Sequence, residues 1–304
     1  MWFWLALAAL LCWSGSDLFS KIGCVDPDDR DSHLKMVMMV GLVMGLHAAY
    51  EIFIGGVYIS LDIIWTYLPV SLLYIGSMTL GYLGLRYIEL SISSPICNSS
   101  GALASILYLL AGERLVKMQY VGVACVCLGV ISLAIVDARE DEDLRARRQE
   151  ASNRKYTKSF LALALPVLYC ILDAAGSFCD GLVLDKLSLT LEDYEASANV
   201  AYELTFLFAA VICFVLVCLL KKKRLTVRSE GPKLIGACFE TAGQFAYIYA
   251  LSANPAAAAP MISAYCAVSV LWSRIFLKEK LSFKHYCTIA LAVLGIVILG
   301  VYDA

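Results

Sequence analysis

Stretches of about 20 mainly apolar residues recur along this chain, the length one helix needs to cross a bilayer, and no other feature restricts the fold as much. A segment inside hydrocarbon must satisfy its own backbone hydrogen bonds, so each stretch reads as a helix. They fall at about 2–23, 34–54, 62–86, 91–111, 118–137, 159–181, 196–220, 233–252, 256–277 and 283–302. Composition agrees, because 61% of the 304 residues are hydrophobic and only 16% charged, against about a quarter charged in a soluble domain. The expected fold is an all-α integral membrane protein of ten transmembrane helices. The first stretch, Trp2 to Gly23, has no basic leader and no clear small-residue cleavage site. It is too long for a signal-peptide core, so it reads as a retained span.

The spans repeat. Glu113-Arg114-Leu115 returns as Glu279-Lys280-Leu281, an offset of 166 (279 − 113) that also carries Tyr120 onto Tyr286, Gly129 onto Gly295 and Asp137-Ala138 onto Asp303-Ala304. An offset of 165 carries Tyr82 onto Tyr247 and Pro95 onto Pro260. An offset of 156 carries Leu5-Ala6-Leu7-Ala8 onto Leu161-Ala162-Leu163-Ala164 and Asp17 onto Asp173, and pairs Trp13 with Tyr169. Residues 1–138 and 159–304 are therefore expected to be two five-span repeats, joined by a charged linker at 139–158. Five is odd, so the second repeat enters the membrane from the opposite side, the inverted plan of many secondary transporters.

All but three of the 24 Lys and Arg residues fall in the odd-numbered connections; the exceptions are Arg114, Lys117 and Lys186. Positive residues stay cytoplasmic, which places both termini outside. Of the 12 cysteines only Cys24 sits at a span end, and no Cys-x-x-Cys pair occurs. They behave as small apolar residues, and neither metal nor disulfide is expected.

Trp13-Ser14-Gly15-Ser16 with Lys21, and the repeated Glu113-Arg114-Leu115 and Glu279-Lys280-Leu281, resemble the drug/metabolite transporter superfamily in its ten-span EamA-type branch. Gly112 completes the family's Gly-Glu signature in the first copy, Lys278 replaces that glycine in the second, and Pro95 and Pro260 match its short broken segments. The resemblance covers nearly the whole chain. It implies two inverted five-helix bundles around a central cavity, with spans 5 and 10 peripheral, and transport of small metabolites or organic ions. Many members keep both termini in the cytoplasm, opposite to the charge bias here.

Asp173 lies well inside span 6 with no basic residue one turn away. An ionisable group at that depth faces a cavity or a partner, where it binds a cation, holds a proton or bonds to a neighbouring helix. Its repeat mate Asp17 has Lys21 at i+4, so a shared site and a local ion pair both fit. Glu203 with Asn199, and Glu240 with Gln244, form polar stripes that line a cavity or join helices. Glu51 with His47 reads as an interfacial pair. Trp13 and Tyr169 precede the two aspartates by one turn, and Tyr82 and Tyr247 are repeat mates. Such rings attract organic cations or simply pack. Asn98 opens the polar run Asn98-Ser99-Ser100-Gly101 beside Pro95.

The expected function is a secondary transporter in the cell membrane, moving a small metabolite or organic cation by alternating access, with Asp17, Asp173, Glu203 and Glu240 binding substrate or protons. Trp13, Tyr82, Asn98, Tyr169, Asn199, Gln244 and Tyr247 are the expected lining. A neutral or anionic cargo, such as a sugar or amino acid, and a non-transporting sensor or assembly subunit are the alternatives. No phosphate loop or metal set is present, so neither enzyme activity nor cofactor is expected. The partners are a small-molecule substrate and membrane lipid, without nucleic acid, for a monomer or a homodimer.

Overall fold

The structure, a computed structural model, describes residues 1–26, 29–138, 160–278 and 281–302. Among these the chain is helical throughout, without strands: α1 (Trp2–Cys24), α2 (Ser32–Tyr50), α3 (Leu61–Gly84), α4 (Leu90–Asn98), α5 (Ser100–Ala111), α6 (Lys117–Ala138), α7 (Phe160–Ser188), α8 (Tyr194–Phe214), α9 (Val227–Ala253), α10 (Pro255–Ser263), α11 (Tyr265–Phe276) and α12 (Phe283–Val301). Both α2 and α8 run on into a π-helical turn, Glu51–Gly55 and Val215–Leu220. Eight helical stretches of the described chain are long and apolar enough to cross a membrane, counting α4 with α5 and α10 with α11 as one each. A shorter apolar helix lies within α12, at Phe283–Leu299. Helix α9 is as long but carries Arg228, Glu230, Lys233 and Glu240. The protein is a multi-pass helical membrane protein. The linker at 139–158, Glu279-Lys280 and Asp303-Ala304 lie outside the described residues.

Two helices extend past their apolar stretches. The sixth stretch ends near 181, but α7 runs to Ser188, which puts Asp180 two turns inside it, fully buried. The eighth stretch starts near 233, but α9 starts at Val227. Its extra turns are anchored by a long-range ion pair to α2 and a local i,i+3 pair. Glu230 lies 3.3 Å from Lys35 on α2 and 2.8 Å from Lys233, while Lys35 also reaches Asp29 at 2.9 Å.

The spans made of α4 with α5 and of α10 with α11 are interrupted at equivalent points. The helix is interrupted at Ser99, four residues after Pro95, and at Ala264, four residues after Pro260. Proline supplies no N–H to the helix ladder and weakens it locally. Gly112 ends α5 at φ 110°, and Lys278, where the second copy lacks glycine, takes the same left-handed hand at φ 57°. The signature glycine therefore answers a backbone requirement that Lys278 meets under strain.

Packing pairs the halves. Helix α1 lies along α9, and α3 along α7; α2 packs on α8, α4 on α11, α5 on α10, and α6 on α12. Close approach at α2–α8 depends on Gly41, where a Cβ would sit 2.5 Å from the Phe206 carbonyl, and on Gly45 one turn later. This is the small-residue spacing by which membrane helices reach backbone contact. On the polar-loop side, the Lys21 ammonium is buried at the end of α1 and donates to the Leu85 and Ile88 carbonyls, both at 2.6 Å. A cation there satisfies carbonyls that α3 leaves open at its C-terminus.

Candidate functional site

One side of each inner helix faces a shared cavity. From α1 come Trp13, Ser16, Asp17 and Ser20, spaced by three, one and three, a single helical face. The same logic brings Tyr74, Met78 and Tyr82 from α3, with Leu85 just past its end, Tyr169, Asp173 and Ser177 from α7, and Glu240, Gln244 and Tyr247 from α9. The broken helices add Ser94, Asn98, Ser263 and Tyr265, and α8 adds Tyr202. Together they surround about 880 Å³ of non-atom space, counted out to the cavity mouth. No residue of α6 or α12 takes part.

Three carboxyl groups converge here, and each accepts from a serine hydroxyl. Asp17 accepts from Ser94 at 2.5 Å, Asp173 from Ser100 at 2.7 Å, and Glu240 from Ser16 at 2.7 Å. Ser94 is fixed in turn by Asn98, whose amide donates to its carbonyl at 2.8 Å. The break at Ser99 lets one span serve both aspartates, α4 holding Asp17 and α5 holding Asp173. No Lys, Arg or His is among the lining residues. Aromatic rings form much of the wall: Trp13 lies 5.1 Å from Tyr247 and 5.9 Å from Tyr265, centroid to centroid. Trp13 and Tyr169 each lie against a glycine of the facing helix, Gly243 and Gly81, which leaves room for the rings.

Three further polar atoms of the lining are buried with no hydrogen-bond partner: Ser20 Oγ, Tyr82 Oη and Gln244 Nε2. Leaving such a group unsatisfied costs about 1–3 kcal/mol. Their meeting on one space marks a cavity shaped for a polar occupant.

A family model for the EamA-like transporter family matches residues 1–135 and 187–301. The chain belongs to the EamA-like transporter family. It is a multi-pass membrane transporter. No curated protein matches this EamA-like transporter significantly in sequence. A solved structure described as "Crystal structure of protein" superposes on it with TM-score 0.63 at 12% identity, covering 98% of this chain and 95% of the other. At that identity the likeness concerns the fold alone.

Of the residues singled out from the sequence, Trp13, Asp17, Tyr82, Asn98, Tyr169, Asp173, Glu240, Gln244 and Tyr247 line the cavity. Glu203 and Asn199 do not. They share α8 with the lining residue Tyr202 but point to α2, where Glu203 accepts from His47 Nδ1 at 2.9 Å and from Asn199 Nδ2 at 3.1 Å. His47 Nε2 lies 3.6 Å from Glu51, so the presumed interfacial pair is part of this separate cluster. Sequence reading passed over Tyr74, Ser177, Tyr202 and Tyr265 in the lining and Asp180 behind it. Tyr74 stands two turns before Tyr82 on one face, and Asp180 seven residues after Asp173; that spacing was the available signal.

Proposed function

We propose that this EamA-like transporter carries a small organic cation or amine-bearing metabolite across the cell membrane by alternating access, in exchange for protons. The observation that carries the reading is the cavity's chemistry: Asp17, Asp173 and Glu240 face it, no basic side chain of the described residues does, and aromatic rings form much of the wall. Carboxylates supply the countercharge, and ring faces attract the apolar shell of an organic cation.

In this reading ten spans form two inverted halves, 1–138 and 159–304, rocking about the cavity. The reciprocal pairing of α1 with α9 and α3 with α7 supports it, as do the matched breaks at Ser99 and Ala264 and the matched left-handed residues Gly112 and Lys278. The charge bias supports both termini outside, for a monomer or a homodimer.

A thermal-shift screen of organic cations, amines, sugars and amino acids on purified protein tests it. A ligand that binds only the folded state adds about 2.7 kcal/mol of stability at one hundred times its Kd. Cationic amines are expected to raise Tm, and Asp173→Asn to weaken them about tenfold or more, the worth of a hydrogen bond to a charged group. Shifts produced by sugars alone would favour a neutral cargo bound by Ser20, Tyr82 and Gln244, and no loss in Asp173→Asn would remove that carboxylate from the mechanism.

A further inference from the structure

Asp180 is not part of the cavity lining, yet it is fully buried in α7. It follows Asp173 by seven residues on the same face, about 10 Å along the helix at about 1.5 Å per residue. The Tyr67 hydroxyl donates to its Oδ1 at 2.6 Å, and the Tyr74 hydroxyl lies 3.4 Å from its Oδ2. Its partners are phenols; no cation is among them. A buried carboxyl without a countercharge is costly in hydrocarbon and marks a proton or ion path more often than a scaffold contact.

Tyr74 joins this carboxyl to the cavity. Its hydroxyl is 2.5 Å from the Tyr247 hydroxyl and 3.1 Å from Ser177 Oγ, and Tyr74, Tyr247 and Ser177 all line the cavity. A phenol has one proton to donate and room to accept two. Facing three partners, Tyr74 cannot donate to all of them. When Asp180 is a carboxylate, it can only accept, and Tyr74 donates to it. When Asp180 holds a proton, it donates back to Tyr74, and Tyr74 turns its own proton to Ser177. Proton transfer along this chain leaves every phenol neutral before and after. The only net change is a carboxylate at Asp180 becoming a carboxylic acid, with the proton drawn from the cavity, or the reverse.

The groups facing Asp180 are Tyr67 and Tyr74 from α3, Tyr108 from α5, Tyr202 from α8 and Tyr247 from α9; on its own helix Asp185 acts on Tyr108, and Asp173 acts on Tyr74 and Tyr202. The α5 contact is a hydrogen bond from the Tyr108 hydroxyl to the Ser177 carbonyl. Helix α4, also packed on α7, brings Cys97 toward Asp173.

We propose that Asp180 is the proton-exchange residue of the transport cycle, linked to the cavity by the Tyr74, Tyr247 and Ser177 hydroxyls, while Asp17, Asp173 and Glu240 hold the cation. The proposal rests on reading the cavity as a cation site. A cation beside Asp173 and a proton on Asp180 then lie about 10 Å apart in a medium that screens poorly, so each disfavours the other. That coupling acts equally in both directions and makes the two charges exchange.

Infrared pH-difference spectra of the purified protein test Asp180 without any substrate. A carboxylic-acid C=O band that grows on acidification is expected in the wild type. One component of it is lost in Asp180→Asn and shifted in Tyr74→Phe, which keeps the ring but removes one hydrogen bond to the acid. If Asp180→Asn does not assemble, the shift in Tyr74→Phe decides. Bands identical to wild type in the variants overturn the proposal. Proteoliposomes holding a pH dye and given ethidium supply the coupled readout. Wild type moves protons against ethidium; Asp180→Asn keeps ethidium-for-ethidium exchange within about twofold and loses at least nine-tenths of the proton movement. Full proton movement in Asp180→Asn overturns the proposal. No ethidium exchange in the wild type counts instead against the cation reading, and the infrared result still decides Asp180.

Discussion

At Lys278 the backbone adopts φ 57°, a conformation that costs a residue with a Cβ about 1–2 kcal/mol and glycine almost nothing. Its counterpart Gly112 occupies the same region without that cost. Lys278→Gly is therefore expected to stabilise the protein by about 1 kcal/mol, visible as a higher Tm in detergent with ligand affinity unchanged. A lower Tm would mean that the lysine side chain contributes more than the strain removes. A second residue outside the bilayer sets a pH limit. Asp31 precedes α2, and the Lys221 ammonium at 2.5 Å holds its carboxyl below the usual carboxylate range. A depressed carboxyl contributes stability above its unfolded pKa of about 3.9 and loses it as pH falls through the folded value. The tether between the α1–α2 and α8–α9 connections should persist at neutral pH and release in acid below about pH 4. Faster amide exchange in the α8–α9 connection on acidification, abolished as a difference in Lys221→Ala, is the expected sign. Lys221 is half exposed, so high salt should mimic the effect.

Between elements, glycines determine how closely helices meet. Gly122 and Gly295 place α6 and α12 almost backbone to backbone; a Cβ on Gly295 would stand 2.7 Å from the Gly122 carbonyl. Gly295→Val is expected to cost about 1–3 kcal/mol through overpacking. Because neither helix lines the cavity, ligand affinity should hold while Tm falls; a fall in affinity would couple this outer pair to the site. The same scale explains what could be read in advance. Eight span positions were legible because hydrocarbon imposes a length and an apolar run on a helix; α9, with its charged residues, departs from that pattern. The breaks were legible only in part: Pro95 and Pro260 mark both spans, but Pro69 and Pro166 sit inside unbroken helices. Asp17 and Asp173 stood out as charges inside apolar runs. Asp180 was hidden because its polar neighbours Asp185 and Lys186 imitate a helix end, and only the tertiary fit of Tyr67 and Tyr74 against it makes the position interior. Glu203 was placed at the cavity because its stripe with Asn199 is visible, whereas the docking of α2 through Gly41 and Gly45, which brings His47 to it, is not. The Lys35–Glu230 pair is long-range for the same reason.

For the whole molecule, the crossing of the two broken spans has a mechanical consequence. Gly101 of α5 lies directly against Ser263 of α10, and Ser105 donates to the Ala256 carbonyl at 2.8 Å. The spans touch near the points where both are cut, at Ser99 and Ala264. Each span is thus a lever resting on the other at its midpoint. Asp17 is tied to the arm before the Ser99 cut and Asp173 to the arm after it. In the proposed alternating-access cycle, an occupant held by both aspartates links the two arms across the cut, and the contact at Gly101 is the pivot. Leverage of this kind needs a fulcrum without slack, and a bare Cα pressed against a serine provides one.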